Sequence, residues 1–245
     1  MKFENRVALI TGAANGIGKA TALKFAQEGA KVALLDLEQK KVDEVAAIIR
    51  SAGGTALPLA VDIRNSGEVK AAVGKILMAF DKIDILVNCA GIGWHKQSDF
   101  KDLSDGDWEH IFDVNVKGTL YVTHAVLGHM VSREYGRIIN VTSVAAQVGI
   151  PKLAVYSASK GALISFTKSL AMELGPHNIT VNCISPGLVA LDEDLHPSNG
   201  TFLGRKGRPS EFASVIAFLA SDEASFITGA DYLVDGGRTL GPRGA

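Results

Sequence analysis

Only two cysteines, Cys89 and Cys183, occur in the 245-residue chain, and their separation matches neither a disulfide framework nor a metal-binding spacing. A reducing compartment suits them. The histidines are scattered without ligand spacing, so no catalytic metal is expected. Neither sign of charge dominates: 25 Lys and Arg against 26 Asp and Glu leave a formal net charge of -1. No basic run marks a surface for nucleic acid or for a membrane. No apolar run is long enough to cross a bilayer. The opening MKFENRVALITG passes from polar residues straight into a strand-like segment, unlike a signal peptide. These absences predict a soluble cytoplasmic protein without nucleic-acid or membrane partners. No linker or low-complexity tract divides the chain, so one domain over 1–245 is expected.

What is present is an alternation of two kinds of segment. Hydrophobic residues make up 47% of the chain and charged ones 21%, enough for a substantial core. Short apolar runs rich in β-branched residues occur at 7–11, 31–37, 55–62, 83–91, 137–143, 180–187 and 231–237. Stretches of helical periodicity lie between them, at 17–28, 39–52, 66–80, 105–131, 153–175 and 209–220. Several strand runs are apolar with little alternation, as expected when helices cover both faces of a parallel sheet. Strand–helix repetition of this kind builds right-handed βαβ units. The fold expected is α/β: a Rossmann-type, doubly wound parallel sheet of about seven strands between two helical layers. In such a sheet a ligand lies beyond the carboxyl ends of the strands, where strand order reverses. The residues closing each strand run are therefore the candidates for a site.

The first run closes into TGAANGIG, residues 11–18. Gly12, Gly16 and Gly18 let the backbone turn tightly and approach a ligand, with Asn15 and Ile17 in the same turn, and the following helix offers free N–H groups to an anion. The spacing is G-x-x-x-G-x-G rather than G-x-G-x-x-G. The second run ends with Asp36 and Leu37. A carboxylate there accepts hydrogen bonds from an adenosine ribose and repels a 2′-phosphate, and positions 13–15 carry no Lys or Arg. Both features favour NAD over NADP, although an aspartate in a turn also caps helices. Asp62 and Ile63 end the third run, where the carboxylate would meet an adenine amino group. The fourth ends NCAG: small Ala90 and Gly91 let a cofactor pass close, and Asn88 would tie neighbouring strand ends together.

Further on, AVYSASKGAL places Tyr156 four residues before Lys160, on one face of a helix. A solvated helix surface would show the same pair. Taken with TGAANGIG, Asp36, Asp62, NCAG, NVKG with Asn115, Ser143, YSASK and SPG at 185–187, however, the chain resembles the short-chain dehydrogenase/reductase family over almost its whole length. The resemblance implies a role for each matching residue. Ser143 would hydrogen-bond the substrate oxygen, and Tyr156 would exchange a proton with it as general acid or base. Lys160 would bind the nicotinamide ribose and lower the tyrosine's pKa. Asn115 would hold a water that links the lysine to solvent. Pro186, Gly187 and Val189 would cover the nicotinamide. A lysine ammonium one helical turn away favours a phenolate, whose free pKa of about 10 is too high for a base near neutrality.

Three departures from the family pattern stand out. Cys89 replaces a usual asparagine and reads as a small buried residue. Leu191 replaces the threonine that usually contacts the nicotinamide amide. The segment after Leu191, which includes DEDLHPSNGTF, is short for a substrate lid and suggests an open cleft. Its acidic cluster, Asp192, Glu193 and Asp194, reads as a solvated loop rather than a cation site. Trp94, His95 and Gln147 are expected on the rim of the substrate cleft. The resulting expectation is an NAD-dependent enzyme that interconverts a secondary alcohol and a ketone. The alternatives are a 3-oxoacyl-[acyl-carrier-protein] reductase and a non-catalytic NAD-binding regulator. The resemblance further implies a homotetramer, or a homodimer, formed through the helices near 105–131 and 153–175.

Overall fold

The computed structural model describes residues 1–93 and 97–241. Strands β1 (Val7–Thr11), β2 (Lys31–Asp36) and β3 (Thr55–Ala60) alternate with helices α1 (Gly16–Gln27), α2 (Gln39–Ser51) and α3 (Ser66–Phe80). There follow β4 (Ile85–Asn88), α4 (Asp105–Phe112), α5 (Thr119–Ser132), β5 (Gly136–Val141), α6 (Ala145–Val148) and α7 (Ala154–Leu174). The fold closes with β6 (Ile179–Pro186), α8 (Pro209–Leu219) and β7 (Asp231–Val234). The strands form one parallel seven-stranded sheet in the order β3-β2-β1-β4-β5-β6-β7. Strand order reverses between β1 and β4, where Thr11 pairs with Asn88. This is the doubly wound, Rossmann-type arrangement, and the reversal places the ligand crevice at their carboxyl ends.

The lack of alternation in the strands has a direct cause. Ala8 and Ile10 of β1 point into one apolar layer, packed with Phe25 of α1 and Phe212 and Ile216 of α8. Val7 and Leu9 point into the other, with Val122, Val126 and Met130 of α5 and Leu170 of α7. Helices cover both faces, so every position of β1 is buried and its one polar residue is Thr11 at the end.

Three expected elements differ most. The helix over 105–131 is broken into α4 and α5 by a π-helical turn, Asp113–Gly118. The strand runs ending at 91 and 237 stop at Asn88 and Val234. Beyond Asn88 the chain leaves the ladder, because the Thr11 hydroxyl takes the N–H groups of Cys89 and Ala90. Beyond Val234 it turns through Gly236 and Gly237, both at positive φ.

Candidate active site

The carboxyl ends of the strands open onto a cleft of about 610 Å³. Its floor is the turn between β1 and α1. A Cβ on Gly12 would lie 2.9 Å from the Ala90 backbone, and one on Gly18 would lie 2.1 Å from the Gly12 carbonyl oxygen. These two glycines therefore let the turn, the end of β4 and the start of α1 close on one another. Gly18 does this from below and does not line the cleft, whereas Gly12, Asn15, Gly16 and Ile17 do. No acidic residue occupies the first turn of α1, and the Asn15 side chain makes no capping bond. The helix amino end therefore presents its N–H groups and partial positive charge to the cleft. A pyrophosphate fits this cradle, since any side chain at Gly12 or Gly18 would fill or distort it.

Asp36 closes β2 at the same edge. Its Oδ2 accepts from Ala14 N at 3.1 Å, fastening the glycine turn to β2, and its Oδ1 accepts from Leu37 N at 2.8 Å. Leu37 is exposed on the cleft rim. Asp62 and Ile63 also line the cleft, but the Asp62 carboxylate has a partner that sequence reading missed. Arg64 Nε sits 2.9 and 3.0 Å from its two oxygens. These bonds hold the Asp62 carboxyl below its ordinary value. Arg64 reaches on to His110 Nδ1 of α4 at 3.4 Å, and both line the cleft.

At the opposite end β5 delivers Ser143, and the first two turns of α7 deliver Tyr156 and Lys160; all three line the cleft. Burial pushes the Tyr156 phenol above its ordinary value, and a hydrogen bond with Ser143 opposes the shift. Lys160 is only 4% exposed. Burial lowers its pKa to about 8, and its Nζ donates to the Val141 carbonyl at 2.9 Å. The ammonium lies 5.9 Å from the Tyr156 ring centroid. The protein's own groups thus raise the phenol's pKa rather than lower it, because the lysine is turned to Val141 and desolvation dominates. Gly91 leaves room for this ammonium, since a Cβ there would lie 3.0 Å from Nζ. Ala90, Pro186, Gly187 and Val189 complete this part of the wall.

Asn115 lies behind the cleft, fully buried in the π-helical turn. Its Oδ1 accepts from Ile92 N at 2.8 Å, and its Nδ2 donates to Ile92 O at 2.9 Å and to Ser159 Oγ at 3.0 Å. Ser159 in turn donates to the Tyr156 carbonyl at 2.7 Å. Asn115 therefore locks the loop after β4 to the turn of α7 that carries the tyrosine and lysine.

Several expected residues lie elsewhere. Asn88 does not line the cleft: its amide donates to Thr123 Oγ1 at 3.0 Å and Asn140 Oδ1 at 2.9 Å, tying β4 to β5 and α5. Gln147 is carried away by α6 and donates to Asp231 at the start of β7. Trp94 and His95 lie outside the described residues. Leu191 is on the rim and 94% exposed. Cys89 lines the cleft, and burial pushes its thiol up to about 12. The acidic cluster is turned away from the cleft. Asp192 pairs with His196, and Glu193 takes the backbone N–H of Ser210 in the first turn of α8. Among the described residues no group of three or more His, Cys, Asp or Glu could hold a metal ion, and no helix is long and apolar enough to cross a membrane. Sequence reading also missed Ile92, Val144, Ile150 and Arg238, which line the cleft.

A seven-stranded doubly wound sheet with a glycine cradle at one end of its crevice and Ser143, Tyr156 and Lys160 at the other defines a dinucleotide-dependent oxidoreductase. A family model described as enoyl-(acyl carrier protein) reductase matches residues 12–239. The chain belongs to the short-chain dehydrogenase/reductase family, enzymes that act on a hydroxyl or carbonyl carbon. It is 40% identical to the (2S)-[(R)-hydroxy(phenyl)methyl]succinyl-CoA dehydrogenase subunit BbsD of Thauera aromatica, over 98% of this chain and 99% of that protein. It is 39% identical to cyclopentanol dehydrogenase of a Comamonas species, over 97% of this chain and 98% of that protein. Its structure is similar to that of a 3-ketoacyl-(acyl-carrier-protein) reductase from Brucella melitensis complexed with NADH. There the TM-score is 0.90 and the identity 38%, covering 97% of this chain and 99% of that chain.

Proposed function

We propose that this enzyme interconverts a secondary alcohol and a ketone with NAD(H), working as a single domain over 1–245. The observation that carries the reading is the joint placement of Ser143, Tyr156 and Lys160 at one end of a cleft whose other end offers the glycine cradle and Asp36. The cofactor, when bound, accepts or supplies the hydride. Ser143 and the Tyr156 hydroxyl hold the substrate oxygen from two sides. In the oxidation direction Tyr156 takes the hydroxyl proton at its phenolic oxygen, and in reduction it returns that proton. Lys160, with a pKa near 8, is protonated at neutral pH and favours the phenolate form electrostatically. The positive charge of an oxidised nicotinamide acts in the same direction, against the desolvation that raises the phenol's pKa. Asn115 keeps Tyr156 and Lys160 in register with the loop after β4.

Asp36 supports NAD over NADP, because a phosphate beside this carboxylate meets like charge and the nearby Arg64 is already committed to Asp62. Exposed Trp108, Phe112 and Tyr121 on α4 and α5 support assembly into a homotetramer, or a homodimer. The composition suits a cytoplasmic enzyme.

The decisive experiment follows NADH absorbance with a panel of secondary alcohols and ketones. Tyr156→Phe should lose about 10²- to 10⁴-fold in kcat/KM, the usual contribution of general acid–base catalysis. Undiminished turnover in that variant would overturn the proton-transfer assignment. Wild type should prefer NAD to NADP, and Asp36→Ala should relax the preference. Equal affinity of wild type for the two dinucleotides would refute the role of Asp36. Light scattering that gave a monomer would refute the assembly.

A further inference from the structure

Arg238 stands just after β7, at the start of the short helical turn Arg238–Leu240. Its backbone is held firmly. Asp235 accepts from Gly237 N at 2.8 Å and from Thr239 N and Oγ1 at 2.9 Å, so this nearby carboxylate is spent on the turn itself. Arg238 lines the cleft. Its Nη1 donates to the Gly200 carbonyl at 3.2 Å. The same nitrogen would lie 2.8 Å from a Cβ on Gly200, whose other near neighbours are Leu188 Cδ1 and Ser198 Oγ. The head group is therefore lodged against the backbone at Gly200, beside Leu188.

Two arginines among the described residues, Arg50 and Arg238, bond a backbone carbonyl and no carboxylate, and of these Arg238 alone lines the cleft. Arg64, Arg133, Arg137 and Arg205 each have a carboxylate oxygen within 4 Å. Among the described residues none lies that close to Arg238. A half-buried guanidinium with five N–H donors and one carbonyl acceptor is poorly compensated, and a partly desolvated cation is costly to leave unpaired. The carboxylates that line the cleft, Asp36 and Asp62, both close the β2–β3 side and are both already bonded. The lining also includes the apolar side chains of Ile92, Val144, Ile150, Leu188 and Leu191 and the cations of Lys160 and Arg238. β7 lies four strands from β1 in the sheet order, about 19 Å at the usual strand spacing. That places the root of Arg238 far from the glycine cradle that suits a pyrophosphate.

We propose that Arg238 binds a carboxylate on the substrate, so that this enzyme selects hydroxy acids and oxo acids whose body is apolar. The inference rests on the proposed secondary alcohol/ketone chemistry and names the substrate class for that site. Ser143 and Tyr156 hold the reacting oxygen, the aliphatic wall covers the body, and the planar fork of Arg238 pairs with the acid group. Bidentate carboxylate recognition is the geometry for which a guanidinium is better suited than an ammonium.

The test compares 4-oxopentanoate, 5-oxohexanoate and 4-oxo-4-phenylbutanoate with their methyl esters as substrates of the NADH-loaded enzyme. Wild type should favour at least one acid over its ester by about tenfold to a hundredfold in kcat/KM, the usual worth of a charge-assisted bond. Arg238→Ala should abolish that preference by raising KM for the acids far more than for the esters, and Arg238→Lys should restore part of it. Equal use of acid and ester by wild type overturns the proposal. Equal loss on acids and esters in Arg238→Ala also overturns it, and makes the residue a brace for the loop at Gly200. A comparable rise in the Kd for NADH would assign Arg238 to the dinucleotide instead. Calorimetric titration of 4-oxo-4-phenylbutanoate into NADH-loaded protein separates the two readings. Binding that depends on Arg238 without any turnover refutes the proposed reaction and upholds the anion site, whereas absence of binding by every acid refutes the site.

Discussion

A methyl group at Gly18 would have nowhere to go. The Cβ of Gly18→Ala would lie 2.1 Å from the Gly12 carbonyl oxygen and 2.8 Å from its carbon, and both are backbone atoms. No side-chain rotation relieves the overlap, so the turn and α1 must separate by about an ångström. Overpacking of a well-packed site costs about 1–3 kcal/mol, and a clash with rigid backbone belongs at the upper end. For a chain of this length that is a fall of about 6–12 °C in Tm. The displaced turn is also the floor of the cleft, where Gly12 already lies against Ala90. NADH affinity should therefore drop about tenfold or more. The control is Gly74→Ala in the middle of α3, where a Cβ meets nothing within 4 Å. It should raise stability by about 0.5–1 kcal/mol through helix propensity alone. Circular dichroism melts and NADH fluorescence titrations read both variants. A Gly18→Ala protein that melts and binds NADH like wild type would refute the steric account of the cradle.

Other expectations follow from groups away from that turn. Asp84 is fully buried beside Lys82 and Arg133, each at 3.1 Å, and accepts from Val7 N at 2.9 Å. Asp84→Ala should cost about 1–3 kcal/mol by leaving the buried Val7 N–H unpaired, since Lys82 and Arg133 still reach solvent, and an unshifted urea midpoint would refute it. Lys160 has a pKa of about 8 in the fold against 10.5 when exposed. The unfolded chain therefore binds the extra proton between those values, and the burial penalty, at most about 3 kcal/mol, is full below pH 8 and relieved as pH rises towards 10.5. Lys160→Met should accordingly be more stable than wild type at pH 7, with the two curves converging by about pH 10.5. A difference independent of pH would refute the assignment.

Most of the fold was legible because burial on both faces leaves a mark that composition cannot hide. The seven apolar runs became the seven strands, and α1, α2, α3, α7 and α8 begin and end within a residue or so of their periodic stretches. Strand ends were less legible, because apolar runs continue into the cleft wall. Cys89 and Ala90 are as apolar as the strand before them, yet their N–H groups belong to Thr11 rather than to a ladder. The site was legible where one element carries it, as with Tyr156 and Lys160 on α7. It was illegible where distant loops converge. Arg64 and Arg238 each follow closely on a strand run, but their side chains belong to no motif, and Gln147 left the cleft because α6 turns its side chain to Asp231.

The break between α4 and α5 shows why Asn115 needed more than periodicity to be understood. Apolar spacing runs on through 105–131, so a continuous helix was the natural expectation. A π-helical turn inserts one residue into that repeat, and one residue is about 100° of rotation about the axis. In an uninterrupted α-helix whose C-terminal part kept its present packing, the Asn115 side chain would point well away from Ile92. The insertion aims the amide so that its two ends take both backbone groups of Ile92 and the hydroxyl of Ser159. Thr119 Oγ1 donates to the Asn115 carbonyl at 2.9 Å, answering one carbonyl of the distorted turn. Gly118 completes the device, since a Cβ there would lie 2.6 Å from Ile63 Cδ1 and push at the cleft wall. The irregular backbone is thus the means by which NVKG fixes the loop after β4 against the helix that carries the tyrosine.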